Sequence, residues 1–193
     1  MLQNLMEPWS GKAYRHLPDG NYDVYNFSYT GLAANNRWNI QGEQTLYLAG
    51  GVDVAAGEWS RHYGAYKLAT QVRQTAPLQF NRSQQLAAKT KRRKVYQMTV
   101  KLNHTLNLCR HLCWQELSLK DAPNCFLDQK IARATAQFIR QTTIVEAIFV
   151  PSMAFLDQMD KWVLVVFLEK LSMDKPLEFL PKVEDYGYFK VEN

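Results

Sequence analysis

Apolar and polar positions divide the chain into short runs separated by turn-forming residues. Several of these runs are rich in β-branched, aromatic or aliphatic residues, and they predict strands. In chain order they are a short piece near Ala13–His16, then Thr45–Ala49, Val95–Leu102, Ile144–Val150 and Trp162–Leu168. The rest of the segment before Asn39 is expected to be mostly loop, because prolines and glycines interrupt it.

A helix is predicted directly after the two glycines that close the second of these strands. Asp53 is a suitable residue for the start of this helix, which runs to about His62 or, with a bend near Gly64, as far as Gln74. The stretch Pro77–Lys94 has no clear period, and it belongs to the longer stretch Gln74–Lys94. We expect it to be a surface insertion.

A second helix is predicted over Leu127–Gln141. Its apolar residues recur at spacings of four, three and four, as expected for one face of a helix that is directed to a core. They are Leu127, Ile131, Ala134 and Phe138. The tail after Pro176 alternates too weakly to predict an element. Because strands and helices alternate, the fold is expected to be α/β or mixed α+β.

Composition indicates one globular domain over residues 1–193. The chain is 47% hydrophobic and 21% charged, which excludes disordered and repeat proteins. The longest apolar run, Trp162–Leu168, is far shorter than the roughly 18 residues of a membrane span, and no secretory signal is visible at the start. Three cysteines are too few for a disulfide framework. A cytoplasmic protein without membrane contact is expected.

Positive charge is concentrated in one short stretch. The net charge is +5, and the run Lys89–Lys94 contains five cations by itself. No aromatic residue is interleaved there, as a surface that stacks on bases would require. We therefore expect a solvated loop, and nucleic acid is not the expected partner.

Three pieces of sequence in a fixed order carry the most specific information. They are Tyr14-Arg15, then Asn36-Arg37-Trp38-Asn39 with Thr45–Ala49 and Ala55–Glu58, and finally Val150-Pro151-Ser152. This order resembles the RES domain family, which is named for its arginine, glutamate and serine. The resemblance covers roughly Ala13–Leu168 and is most specific between Arg37 and Glu58.

The resemblance implies a compact ADP-ribosyltransferase-like domain with a mixed, largely antiparallel sheet flanked by helices. It also implies chemistry on NAD, either cleavage of the nicotinamide–ribose bond or transfer of ADP-ribose to a protein. The implied catalytic residues are Glu58, Arg37 and Ser152, and the implied NAD-binding residues are Arg15, Arg37, Tyr47 and Ser152. Family members include toxins of bacterial toxin–antitoxin pairs. A helix-turn-helix antitoxin and a homodimer are the implied partners.

The residue types suit that chemistry. Breaking a nicotinamide–ribose bond builds positive charge on the sugar, so a carboxylate such as Glu58 near the ribose is required. The planar fork of Arg15 or Arg37 can bind two phosphate oxygens together. Tyr47 could stack on the nicotinamide, and Ser152 could bind its amide or the ribose.

Each of these residues also has a structural explanation when it is considered alone. Glu58 could complement a helix dipole, Arg37 could stack on its neighbouring tryptophan, and Tyr47 could belong to the core. Ser152 could cap a turn. Their joint order and spacing favour a functional site.

Other candidate sites are less specific. The residues His104, Cys109, His111, Cys113 and Cys125 lie close together in sequence, but they lack the paired spacing of structural zinc sites. Cys109 and Cys113 are expected to share one face of a turn or helix and to pack as small apolar groups. No phosphate-binding loop of the Walker or dinucleotide type is present. We expect NAD as substrate and no metal.

A second function remains open from the sequence. A non-catalytic module could keep the pocket for a nucleotide, or use the basic run 89–94 to hold nucleic acid. Consumption of NAD would distinguish an enzyme from such a module.

Overall fold

A computed structural model describes residues 2–28, 30, 35–61, 92–171 and 176–190. The strands in these ranges are β1 (Glu7–Pro18), β2 (Thr45–Ala49), β3 (Arg92–Asn107), β4 (Ala147–Pro151), β5 (Trp162–Phe167) and β6 (Lys182–Lys190). The helices are α1 (residues 52–61), α2 (His111–Glu116), α3 (Gln129–Thr142) and α4 (Pro176–Phe179). Short 3-10 turns lie at Leu2–Leu5, Asn124–Leu127 and Leu168–Lys170.

The described strands form one sheet in the order β1-β2-β5-β4-β3-β6, and β1 also pairs with β3. This additional pairing closes a ring of five strands, with β6 added along the outside of β3. The pair β3–β4 is parallel, and the other pairs are antiparallel. The predicted mixed α/β class with a largely antiparallel sheet is confirmed.

Strand β1 is longer than the short strand predicted near Ala13–His16. It pairs with β3 along nearly its whole length. Pro8 lies at a shift in register between Glu7 and Trp9, a place where a missing N–H does not break a regular ladder. Long-range pairing with β3 therefore overrides the proline and glycine signals that predicted a loop.

The strand predicted at Thr45–Ala49 is found with the same ends, and the other predicted strands are found with changed ends. Those predicted at Thr45–Ala49, Val95–Leu102 and Trp162–Leu168 correspond to β2, β3 and β5. Strand β4 begins later than predicted, at Ala147. The weak alternation after Pro176 does not predict strand β6. This strand forms because its backbone pairs with β3 over residues 182–190.

The sheet has a hydrophobic cluster on each face, and β2 contributes to both. Leu46 and Leu48 are buried in the first cluster. Tyr47 packs against the second, which contains Trp38 and Phe126. Since successive side chains of a strand point to opposite faces, Tyr47 is directed away from the side of its two neighbours. This alternation decides which face of β2 can contribute to a site.

The helix predicted over Leu127–Gln141 exists as α3, but its predicted core face is wrong. Leu127 and Phe138 are each 50% exposed and Ile131 is 39% exposed. Ala134 is also exposed. The buried residues of α3 are instead Ala132, Thr135, Ala136, Ile139 and Arg140.

A buried arginine explains this orientation. Arg140 donates to Thr45 Oγ1 at 2.8 Å and to Glu169 Oε2 at 3.2 Å, and its guanidinium lies 4.3 Å from the ring centroid of Phe167. A buried cation is tolerated when it is paired and hydrogen-bonded in this way. Ala132 lies on the same buried face and leaves room for close approach. A hydrophobic pattern cannot identify a core face that includes an arginine.

The basic run 89–94 is not a solvated loop over its described part. Residues 92–94 open β3, and Arg93 is only 7% exposed. Its Nε donates to His16 Nδ1 at 3.0 Å, and its guanidinium lies 4.2 Å from the ring centroid of Trp59. Pairing with β1 and β6 therefore turns part of the predicted loop into a structural strand.

The cations beside Arg93 face carboxylates of the same chain. Arg92 Nε lies 3.6 Å from Asp19 Oδ2, and Lys94 Nζ lies 2.7 Å from Asp185 Oδ2. These pairs reduce the free positive charge that a nucleic-acid contact through this run would need.

Two sequence expectations lie outside the described residues. They are the extension of α1 beyond residue 61 and the connection before residue 92. None of the described helices is long and apolar enough to cross a membrane. All three cysteines are unpaired.

Replacing Arg93 by alanine should destabilise the fold by about 2 kcal/mol, because the ring contact and the hydrogen bond are lost together. The matched variant Arg92→Ala should lose only about 1 kcal/mol, since its ion pair with Asp19 and its contact with the half-exposed ring of Tyr188 both face solvent. Chemical denaturation measures both. Equal, small losses would mean that the basic run faces solvent after all.

Candidate functional site

The Arg37-Trp38-Asn39 element fastens the loop before β2 to the turn that precedes α3. Trp38 is buried, and its ring centroid lies 5.0 Å from that of Phe126. Arg37 Nη1 donates to the carbonyl oxygens of Phe126 at 2.6 Å and Leu127 at 2.9 Å. Both bonds use one terminal nitrogen, and no described residue accepts from Nε or Nη2. The guanidinium is thus fixed in place through Nη1, and within the described part of the chain Nε and Nη2 are left for a ligand.

Asn39 holds Tyr47 in position. It is fully buried, and its Oδ1 accepts from Tyr47 Oη at 2.7 Å and from Asn36 Nδ2 at 3.1 Å. Its Nδ2 donates to the carbonyl oxygen of Ile40 at 2.8 Å. Burial raises the pKa of Tyr47 well above its usual value. The phenol therefore stays neutral, and its ring has a fixed orientation.

Glu58 on α1 meets Ser152 directly after β4. Ser152 Oγ donates to Glu58 Oε1 at 2.6 Å, and the backbone N–H of Ala154 donates to the same oxygen at 3.1 Å. Ser152 is fully buried. Among the described residues no donor reaches Oε2. The carboxylate is therefore oriented through one oxygen, and the other can face a ligand.

Gly57 permits this close approach of α1 to the loop after β4. A Cβ atom at Gly57 would lie 2.6 Å from Phe155 Cε2 and 3.1 Å from Ala154 Cβ. A side chain there would have to displace the loop that donates to Glu58. Glycine inside a helix lowers its stability, but here it allows the helix to contact that loop.

Arg37, Tyr47 and Glu58 share one electrostatic environment. Burial lowers the pKa of Arg37, and the nearby cation Arg61 lowers it further, whereas Glu58 and Tyr47 act in the opposite direction. Arg133 is a second cation that lowers it. The predicted residues Arg37, Tyr47, Glu58 and Ser152 are thus linked by contacts or by charge. They form the candidate site.

Arg61 and Arg133 are site neighbours that the sequence analysis missed. Arg133 Nε donates to the carbonyl oxygen of Asn36 at 3.0 Å, and Nη2 donates to Gln129 Oε1 at 3.2 Å. Arg61 is exposed and lies three residues after Glu58 on α1, a spacing that places both on one helix side. That spacing is the one sequence signal from which Arg61 could have been predicted. Arg133 comes close to Arg37 only in the folded chain.

Arg15 has its contacts on a different face. Its Nη1 donates to the carbonyl oxygen of Val24 at 2.5 Å, and its guanidinium lies 5.1 Å from the ring centroid of Phe27. Burial lowers its pKa to about 10, although Asp23 raises it. Phe27 belongs to the first cluster, opposite the face that carries Tyr47. No described contact joins Arg15 to the four residues of the candidate site.

The family model for the RES domain matches residues 12–176, which include every predicted site residue. The chain belongs to the RES domain family. In structure it is similar to a chain of the M. tuberculosis MbcT–MbcA toxin–antitoxin complex, with a TM-score of 0.58 and 16% sequence identity. The likeness covers 94% of this chain and 87% of the other, and at this identity it concerns the fold. No curated protein matches the sequence.

The cysteines of this RES domain do not form a second centre. Burial raises the pKa of Cys109 to about 12 and also raises that of Cys113, so their thiols are poor nucleophiles. Cys113 is buried in the second cluster, which fits the expected packing role, whereas Cys109 lies before α2 and packs against the first cluster. The two thiols therefore do not share one face as expected. In the described part of the chain, no group of three or more histidines, cysteines or acids could hold a metal ion.

The geometry of the RES domain site combines a fixed carboxylate with an excess of positive charge. Glu58 is the acid that interacts with Arg37, and Arg61 and Arg133 add cations around it. Such an arrangement can bind an anionic ligand while presenting one carboxylate oxygen to a group that becomes positive.

The Ser152→Ala variant should lose about 1.5 kcal/mol or more of stability, because a buried hydrogen bond to a carboxylate disappears. The exposed residue Ser10 on β1 supplies the control, and Ser10→Ala should change stability by less than about 0.5 kcal/mol. Thermal unfolding measures both variants. If they are equally stable, the Ser152–Glu58 bond does not hold α1 against β4.

Proposed function

We propose that this RES domain is a bacterial toxin that consumes NAD by breaking the bond between nicotinamide and ribose. The observation that supports this best is the carboxylate of Glu58, oriented by Ser152 and by the N–H of Ala154, beside the guanidinium of Arg37. The same half-reaction serves a glycohydrolase, a phosphorylase and an ADP-ribosyltransferase.

The reaction is a substitution at C1′ of the nicotinamide ribose. The C–N bond breaks, and its electron pair leaves with nicotinamide. A new bond forms from C1′ to a nucleophilic atom of water, inorganic phosphate or a protein side chain, which loses a proton when it carries one. The ribose is positively charged in the transition state, as in glycoside hydrolysis.

Glu58 would stabilise that charge. Ser152 and Ala154 both bind Oε1, so Oε2 can accept from a ribose hydroxyl and face the reacting carbon. A fixed carboxylate needs little reorganisation during the reaction, which is the main source of electrostatic catalysis. Because Ser152 is fully buried, we assign it this positioning role through Glu58.

The arginines would bind the pyrophosphate of NAD. Arg37 is held by two carbonyl oxygens through Nη1 and can use Nε and Nη2 for phosphate oxygens. Arg61 and Arg133 contribute charge next to it. Arg15 is proposed as a further NAD contact only on the family resemblance, since its present contacts lie on the other face.

Tyr47 would provide a flat surface for the nicotinamide ring. Its hydroxyl is fixed by Asn39 at 2.7 Å, so stacking would not require the ring to lose further freedom on binding. Its charge interaction with Arg37 supports a position close to the bound ligand.

A toxin of this kind acts in the cytoplasm and needs a protein that silences it. The similar fold occurs in a complex named as a toxin–antitoxin pair, which supports an antitoxin partner here. The family resemblance implies a helix-turn-helix antitoxin, and a homodimer is proposed on the same basis.

The variant Glu58→Gln keeps the size and hydrogen-bonding ability of the side chain but removes its charge. We expect NAD turnover to fall by roughly 100-fold or more, while NAD affinity stays within a few-fold, because the lost interaction acts mainly in the transition state. The matched control is Asp53→Asn on the same helix. Asp53 forms an exposed ion pair with Lys161 and is not part of the candidate site. It should keep near wild-type turnover.

Measuring the release of nicotinamide by chromatography distinguishes an enzyme that depends on Glu58 from the alternatives. A folded Glu58→Gln protein with wild-type turnover would eliminate this mechanism. A wild-type protein that binds NAD and leaves it intact would instead support the non-catalytic binding module.

The variant Arg37→Lys tests phosphate binding. Measured by calorimetry in a Glu58→Gln background, where NAD persists, its affinity should fall by about tenfold or more, since each charge-assisted bond contributes roughly 1.5–3 kcal/mol. Arg110→Lys is the control, because Arg110 pairs with Glu7 at 3.0 Å and is not part of the site. Equal affinities for both variants would leave Arg37 with a purely structural role.

A further inference from the structure

An exposed apolar row on α3 is not used by the core or by the proposed chemistry. The row, called the α3 stripe below, consists of Ile131, Ala134 and Phe138 on α3 and of Leu127 in the 3-10 turn directly before this helix. Leu127 and Phe138 are half exposed. Within α3 the helical spacing makes the stripe continuous from Ile131 to Phe138, over about 10 Å. Single exposed apolar residues are common, but a continuous row on one helix face marks an interaction surface.

The stripe begins at the candidate site. Leu127 presents its side chain to solvent, while its carbonyl oxygen accepts from Arg37 Nη1 at 2.9 Å. Arg133 on the same helix ties α3 to the loop before β2 through the carbonyl oxygen of Asn36. An occupant of the stripe would therefore end beside the residues that surround Glu58.

Charge selects the occupant. Helix α3 contains Lys130, Arg133 and Arg140 and no acidic residue, and the carboxylate of Asp128 caps its start by accepting from the backbone N–H of Lys130. Arg140 is already paired with Glu169. Residues 62–91 of this chain contain five lysines and arginines and no acid, so like charge disfavours that segment as the cover. A second copy placed face to face would bring the same cations together. An acidic partner avoids this repulsion.

We propose that the α3 stripe is a docking surface for an amphipathic helix with an apolar row and acidic flanks, contributed by the antitoxin. The identity of this occupant rests on the proposed function. Leucine-like side chains of the helix would pack on Ile131 and Phe138, and its carboxylates would pair with Lys130 and Arg133. Docking there would place the end of the helix at the mouth of the NAD site.

Two synthetic helical peptides serve as probes. Each is about 18 residues long, roughly 27 Å as a helix, with leucines along one side. One carries glutamates beside the leucines, and the other carries lysines in the same positions. Fluorescence anisotropy with the full chain should show binding of the glutamate peptide and at least tenfold weaker binding of the lysine peptide.

The variant Phe138→Glu should weaken binding of the glutamate peptide by about 30-fold or more, as for an apolar residue at the centre of an interface. Leu112→Glu is the matched control, because Leu112 is 59% exposed and lies on α2. It should bind the peptide as the wild type does. Equal binding by both variants, or no binding of the glutamate peptide to the wild type, would overturn the proposal.

Sedimentation of the unliganded chain examines the competing occupant. A dimer that Phe138→Glu dissociates and Leu112→Glu does not would assign the stripe to a second copy and contradict the proposal. NAD turnover of Phe138→Glu should equal that of the wild type. If the wild type does not consume NAD but still binds the glutamate peptide through the stripe, the proposed reaction fails and the docking surface stands.

Discussion

The hydrogen bond from Ser152 to Glu58 is the contact on which the geometry of the candidate site depends. It joins helix α1 to the end of strand β4 over 2.6 Å, and the N–H of Ala154 reinforces it at the same oxygen. A serine buried beneath a carboxylate can satisfy it without adding a charge. Gly57 removes the side chain that would keep the helix away. The carboxylate thus keeps one oxygen for the protein and one for a ligand.

The closed ring of strands brings distant parts of the chain to this contact. Pairing of β2 with β5, and of β5 with β4, places Tyr47 on β2 and Ser152, directly after β4, on either side of β5. The Arg37-Trp38-Asn39 element then fixes Tyr47 through Asn39 and the start of α3 through the guanidinium. One short motif therefore couples the site to α3, which carries both Arg133 and the exposed stripe. Through this coupling, the proposed protein partner on α3 would act on the candidate site.

Sequence reasoning found the parts of the molecule that local chemistry determines. The strand at Thr45–Ala49 has a strong local pattern, and Glu58 belongs to a motif with fixed spacing. The rest depends on tertiary structure. Helix α3 turns Ala132, Ala136 and Arg140 inward because Thr45 and Glu169 accept hydrogen bonds from the guanidinium. Part of the basic run becomes strand because β1 and β6 pair with it. Arg133 approaches Arg37 only after folding, so no spacing along the chain predicts that the two arginines are neighbours.

The central claim is that the carboxylate held by Ser152 promotes cleavage of NAD, and the most direct measurement is the product balance of the purified full chain. The protein is incubated with NAD alone, with inorganic phosphate, and with cell protein, and mass spectrometry follows the products. The claim predicts free nicotinamide equal in amount to the NAD lost, with ADP-ribose recovered free, phosphorylated or attached to protein. Intact NAD in all three mixtures, in the presence of folded protein, would contradict it.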